Sequence, residues 1–152
     1  MEQVSQLSQQ TSLVFPDAQE EELSAPPTTW RVLVVEDVPS LQKLLVMMLR
    51  KAGHEAFAAA DGFEAVALVE REEFDIILMD IQMPGMNGLE AMRLIRAREA
   101  QSGAHVPIIA VTAHALNGDS RTCLAAGADA YMRKPVNLVE LLSLMQRLVA
   151  LM

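Results

Sequence analysis

From Arg31 onward the chain repeats one alternation: a short apolar run rich in β-branched residues, a turn, then a segment whose apolar side chains recur with a helical period. Arg31 to Glu36 (RVLVVE) reads as a buried strand. Pro39 and Ser40 then open a segment carrying Leu41, Leu44, Leu45, Met48 and Leu49, which Gly53 closes. His54 to Ala58 is a weaker second strand, and Asp61-Gly62 turns into a helix with Ala65, Leu68 and Val69. Phe74 to Met79 (FDIILM) is the third strand, followed by a helix over Gly88 to Ala100 with Leu89, Met92, Leu94 and Ile95. Pro107 to Val111 is the fourth strand, and a more polar helix runs from about residue 117 to 126. Ala130 to Met132 is a short fifth strand, and Asn137 caps a last helix. Strands separated by whole helices pair in parallel through right-handed crossovers, which puts helices on both sheet faces. The pattern predicts an α/β protein with a doubly wound, five-stranded parallel sheet and five helices.

The 152 residues suffice for one such domain and a tail. Residues 1–29 hold five acidic side chains (Glu2, Asp17, Glu20, Glu21, Glu22), no basic ones, and end in Ala25-Pro26-Pro27-Thr28-Thr29, the composition of a flexible acidic tail or linker. Residues 30–152 are the expected folded domain. The net charge of −8 offers no basic footprint for a nucleic-acid backbone, so direct nucleic-acid binding is not expected. No apolar run is long enough for membrane insertion. A lone cysteine, Cys123, and the lack of a secretory core predict a reducing, cytoplasmic setting. Since the last helix reaches the end of the chain, the expected output is a protein partner or another part of a longer parent.

In doubly wound sheets, functional groups collect beyond the carboxyl ends of the strands. Here the first strand ends in Glu36-Asp37, the third in Asp80, the fourth in Thr112, and the fifth is followed by Lys134-Pro135. Converging carboxylates repel one another unless a cation lies among them, and hard oxygen ligands on a partly open site suit Mg2+. A hydroxyl and an ammonium opposite those acids supply a donor and a fixed positive charge for a phosphate. The chemistry that fits is attack by a carboxylate on phosphorus, giving an aspartyl phosphate. Asp80 is the expected nucleophile because it stands alone at a central strand end, whereas Glu36 and Asp37 are adjacent and suited to holding metal.

Glu36-Asp37, the run Leu78-Met79-Asp80-Ile81-Gln82-Met83-Pro84-Gly85-Met86-Asn87-Gly88, Thr112-Ala113-His114-Ala115, and Gly127 to Pro135 (GADAYMRKP) together resemble the receiver domain of two-component response regulators, over roughly Arg31 to Met152. The resemblance implies a flavodoxin-like strand order of 2-1-3-4-5. It further implies that Asp80 accepts a phosphoryl group from a partner phosphohistidine, on a histidine kinase or histidine phosphotransfer protein. By the same resemblance Glu36, Asp37, Asp80 and the backbone carbonyl of Gln82 surround Mg2+, and Thr112 and Lys134 contact the phosphoryl oxygens. Thr112 and Tyr131 act as the conformational switch, and the Lys134-Pro135 bond is cis. Glu36 stands where many receivers carry aspartate.

Gln82 and His114 each lie two residues beyond a site residue, Asp80 and Thr112, and are expected to tune the lifetime of the acyl phosphate. His105 reads as a loop residue and Cys123 as an inert helix residue. The first helix carries Val46 and Met47 outside its core stripe, and the last carries Leu144 and Leu151, which suits partner docking. Two parents fit equally, a free-standing regulator and the receiver of a hybrid histidine kinase. Other classes fit less well. A phosphatase of haloacid-dehalogenase type uses a second aspartate two residues after its nucleophile, where this chain has Gln82. A phosphorylation-independent interaction domain has no use for so complete a set of site groups.

Overall fold

A computed structural model of the chain describes residues 28–113 and 119–151. Its strands are β1 (Arg31–Val35), β2 (Glu55–Ala59), β3 (Ile76–Asp80), β4 (Ile108–Thr112) and β5 (Ala130–Arg133). Between and after them come α1 (Pro39–Lys51), α2 (Gly62–Arg71), α3 (Gly88–Ser102), α4 (Asp119–Ala126) and α5 (Leu138–Leu151). All pairings are parallel, in the order β2-β1-β3-β4-β5, which is the expected doubly wound arrangement. Residues 1–27, most of the expected tail, and His114 lie outside the described residues.

The central strands are apolar on both faces, as a sheet covered on both sides requires. Val32, Val34, Ile76, Leu78, Ile109 and Val111 pack with Leu45 and Leu49 of α1 and Leu141, Met145 and Leu148 of α5. The alternate residues Leu33, Val35, Ile77, Met79, Ile108 and Ala110 pack with Ala65 of α2, Met92 and Ile95 of α3 and Cys123 of α4. Helix starts follow the local signals. Asp61 accepts the Glu64 N–H at 2.8 Å, Asn87 and Glu90 form a reciprocal capping box, and Asn137 accepts the Glu140 N–H at 2.9 Å. The first helix differs, for Val38 caps it without a side-chain bond and Pro39 begins it.

Several strands sit one or two residues further along the chain than their apolar runs suggest. Pro107 has no N–H to give, so regular pairing in β4 begins at Ile108, although the Pro107 carbonyl still accepts the Ile77 N–H at 2.9 Å. At the other end parallel pairing continues through the polar residues Asp80 and Thr112. Leu44 and Leu94, which the helical period assigns to apolar stripes, are exposed.

At the amino-terminal end of the sheet Arg96 of α3 binds four partners. Its guanidinium donates to the Glu99 carboxylate (2.6 Å), the Val106 carbonyl (2.8 Å), the Gly127 carbonyl (2.9 Å) and the Asp129 carboxylate (2.7 Å). This network ties α3 to the segments leading into β4 and β5.

Candidate active site

Strand register builds the site. Val35 pairs with Met79, so Glu36 and Asp80 follow side by side on neighbouring central strands. Asp80 pairs with Val111, which puts Thr112 one residue further out on β4. Thr112 pairs with Arg133, and its carbonyl accepts the Lys134 N–H at 2.8 Å, so Lys134 continues the same rim. Four groups distant in the sequence thus line one edge, at the point where the connection leaving β1 runs to β2 on one side and that leaving β3 runs to β4 on the other.

Within that edge Glu36, Asp80 and Thr112 are buried polar residues. Lys134 Nζ lies 3.0 Å from Glu36 Oε1 and 3.4 Å from Asp80 Oδ1. The Val38 N–H donates to Glu36 Oε2 at 3.2 Å, and the Gln82 N–H donates to Asp80 Oδ1 at 3.2 Å. Asp80 Oδ2, by contrast, is buried without a hydrogen-bond partner. Burial and the charge of Glu36 push the Asp80 carboxyl up to about 7, against the opposing pull of Lys134 and the Gln82 N–H, while the neighbouring Asp37 carboxyl adds to the rise. Burial lowers Lys134, but its hydrogen bond to Glu36 and the charges of Asp80 and Glu36 outweigh that and hold it above its ordinary value.

One carboxylate oxygen from each of Glu36, Asp37 and Asp80 lies within 4.8 Å of the others. An all-oxygen donor set with an orphaned buried oxygen is what a hard divalent cation satisfies, so the residues fit Mg2+. After burial, the charge of Glu36 is what raises Asp80, and a cation here would relieve that repulsion.

The other predicted residues fall as follows. Gln82 is exposed next to Asp80. Tyr131 pairs with Ala110 and packs, half-buried, against the face that α2, α3 and α4 cover. The Lys134–Pro135 peptide is cis. His114 falls outside the described residues, while His105 sits at the opposite end of the sheet, with Nε2 2.7 Å from Asp129 Oδ1. Gln42 and Gly88 were not singled out by their sequence context. The Gln42 amide bonds the carbonyls of Glu36 and Ala59, and Gly88 lies so near the Asp80 carbonyl that a Cβ there would collide with it. Capping accounts for Gly88's place after Asn87, but nothing local signals either long-range contact.

Fold and rim define a doubly wound α/β domain with its ionisable groups gathered at the switch point. Residues 32–146 match the response regulator receiver domain family, and the chain belongs to that family, the receivers of two-component signalling. Hybrid signal transduction histidine kinase I of Dictyostelium discoideum is 46% identical over 112 residues, 70% of this chain and 6% of that protein. The chain thus spans only a small part of the curated kinase it matches. Among solved structures, the receiver domain of sensor histidine kinase PA1611 from Pseudomonas aeruginosa PAO1, with a magnesium ion coordinated in its active-site cleft, gives a TM-score of 0.73 at 43% identity, covering 81% of this chain and 99% of that one. The Saccharomyces cerevisiae complex of the histidine phosphotransfer protein Ypd1 with the receiver domain of Ssk1 gives 0.75 at 35% identity, covering 80% and 90%. Among the described residues no helix is long and apolar enough to cross a membrane.

Proposed function

We propose that the chain is a phosphoacceptor switch in which Asp80 takes a phosphoryl group from a phosphohistidine on a donor protein. The observation that carries this reading is the buried, unpartnered Oδ2 of Asp80, beside two further acids and the Lys134 ammonium. A carboxylate oxygen of Asp80 attacks phosphorus, the new O–P bond forms as the N–P bond of the donor breaks, and the imidazole leaves with the bonding electrons. Lys134 and Thr112 would bind the equatorial oxygens, exchanging Lys134's contact with Asp80 for one with the phosphoryl group. Glu36, Asp37, Asp80 and the Gln82 carbonyl would hold Mg2+, whose charge neutralises the phosphoryl oxygens when it is bound. Magnesium in the PA1611 receiver and the phosphotransfer partner of Ssk1 support the cofactor and the donor class.

Phosphorylation would favour a conformation with Thr112 drawn toward the new anion and Tyr131 turned inward, altering the face of α4, β5 and α5 for a downstream partner. Gln82 and His114 would set the lifetime of the acyl phosphate. The hybrid-kinase relative favours a parent kinase, which a kinase core encoded upstream in the same reading frame would establish.

Incubation with Mg2+ and acetyl phosphate tests the central claim. Intact-mass analysis should show one added phosphoryl group on the wild type and none on Asp80→Asn. Equal labelling of both proteins would overturn the assignment of Asp80.

A further inference from the structure

The acid pair at the end of β1 hangs on a side chain from α1. Regular pairing of β1 with β2 stops at Val35 and Ala59. One residue beyond, the Gln42 amide nitrogen donates to the Glu36 carbonyl at 3.0 Å and to the Ala59 carbonyl at 3.2 Å. Ala59 also accepts the Glu36 N–H at 3.0 Å. The terminal amide has two hydrogens, and each meets one of these strand-end carbonyls.

The Glu36 carbonyl belongs to the Glu36–Asp37 peptide. Bonding it fixes the plane from which the Asp37 side chain departs, while the Val38 N–H on Glu36 Oε2 closes the turn from the other side. Like-charged carboxylates within 4.8 Å of one another tend to swing apart, so their spacing needs a rigid backbone beneath it.

We infer that Gln42 is a positioning residue, which holds the Glu36–Asp37 peptide against the β1–β2 seam and thereby sets the affinity of the acid cluster for a divalent cation. The inference rests on reading Glu36, Asp37 and Asp80 as the Mg2+ site. Partners behind metal ligands commonly contribute ten- to hundredfold to metal affinity, and Gln42 acts one bond behind two of the ligands.

Mg2+ titration of the unphosphorylated full chain by calorimetry, on wild type, Gln42→Met and Gln42→Glu, tests the inference. Methionine keeps the length and removes both donors; glutamate also adds a negative charge close to the cluster. Positioning predicts that both variants bind Mg2+ about tenfold more weakly, whereas charge alone would make glutamate tighten binding. Amide exchange at Val38 should also speed up in both variants without metal. Affinity within about twofold of wild type in a folded variant, or tighter binding by Gln42→Glu, would overturn the role. In the wild type the Gln42 side-chain NH2 should exchange slowly; exchange at the rate of a free amide sinks the inference without any variant. If wild-type chain takes up no Mg2+, the metal-site reading fails and this inference with it. If wild type binds and Gln42→Met binds equally, the inference alone fails.

Discussion

At the scale of single residues, Asp80 is held from below as tightly as from the sides. Gly88 begins α3 with its N–H on the Ile81 carbonyl at 3.0 Å. A Cβ at position 88 would press on the Asp80 carbonyl and come within 2.9 Å of the Ile81 Cα, both of them backbone that cannot rotate away. Gly88→Ala should therefore cost roughly 1–3 kcal/mol, as overpacking does, and should lower the yield of phosphorylation by acetyl phosphate. Urea denaturation checks the first effect, and a variant as stable as wild type would show that the contact is slack. The place of Asp80 on the site's rim was legible in the sequence because a carboxylate at the end of an apolar run is visible as such. Gln42 was not legible, since an amide on a helix looks like any solvated side chain until the Ala59 carbonyl, 17 residues away, is known to lie beneath it.

Among the elements, α1 carries the clearest surplus. Its inner face buries Leu45 and Leu49, yet Leu44 is 45% and Met47 55% exposed. Met47 borders a groove with Gln42, Lys43, Val46, Arg50, Lys51 and Ala58. A donor that phosphorylates Asp80 would have to approach the rim where α1 begins, and this helix would be suited to receive it. Met47→Glu should slow phosphotransfer from a phosphorylated histidine protein on the order of tenfold, about 1.4 kcal/mol, and leave labelling by acetyl phosphate unchanged. Stopped kinetics with the two donors distinguish the cases, because equal slowing with both would mean that the substitution damages the site rather than docking. The kinds of element and their sequence were readable from alternation of period, while their ends were not. Apolar runs stop at the first polar side chain, but hydrogen bonding and burial both carry β3 and β4 on to Asp80 and Thr112. The helical period likewise counted Leu44 and Leu94 as core because it reports an angle about an axis, not the width of the surface the helix covers.

Across the whole molecule, stability should carry a mark of how the chain enters the sheet. The Trp30 ring stacks on His54 with centroids 4.9 Å apart, and the Trp30 backbone N–H donates to His54 Nδ1 at 3.2 Å. Burial lowers the His54 pKa below its usual value, and a protonated Nδ1 could no longer accept that bond. The unfolded chain then takes up its proton near pH 6.5 while the folded chain resists it, so this residue's contribution is intact above that pH. It declines as the pH falls through the unfolded value toward the folded one. Comparing urea stability of wild type and His54→Gln between pH 7.5 and about 5 isolates the effect; parallel curves would show that His54 titrates alike in both states. The Arg96 network and the Trp30 stack both join segments far apart in the chain, and neither left a trace in local patterning. What the sequence determined alone was the alternation of strand and helix, the apolar sheet, and which polar residues close the apolar runs, because these follow from period and from neighbours within a few positions. Tertiary structure decided which strand lies beside which, how Glu36, Asp80 and Lys134 come within a few ångströms, and which polar side chains hold them there, since those depend on register between segments that meet only once the sheet has closed.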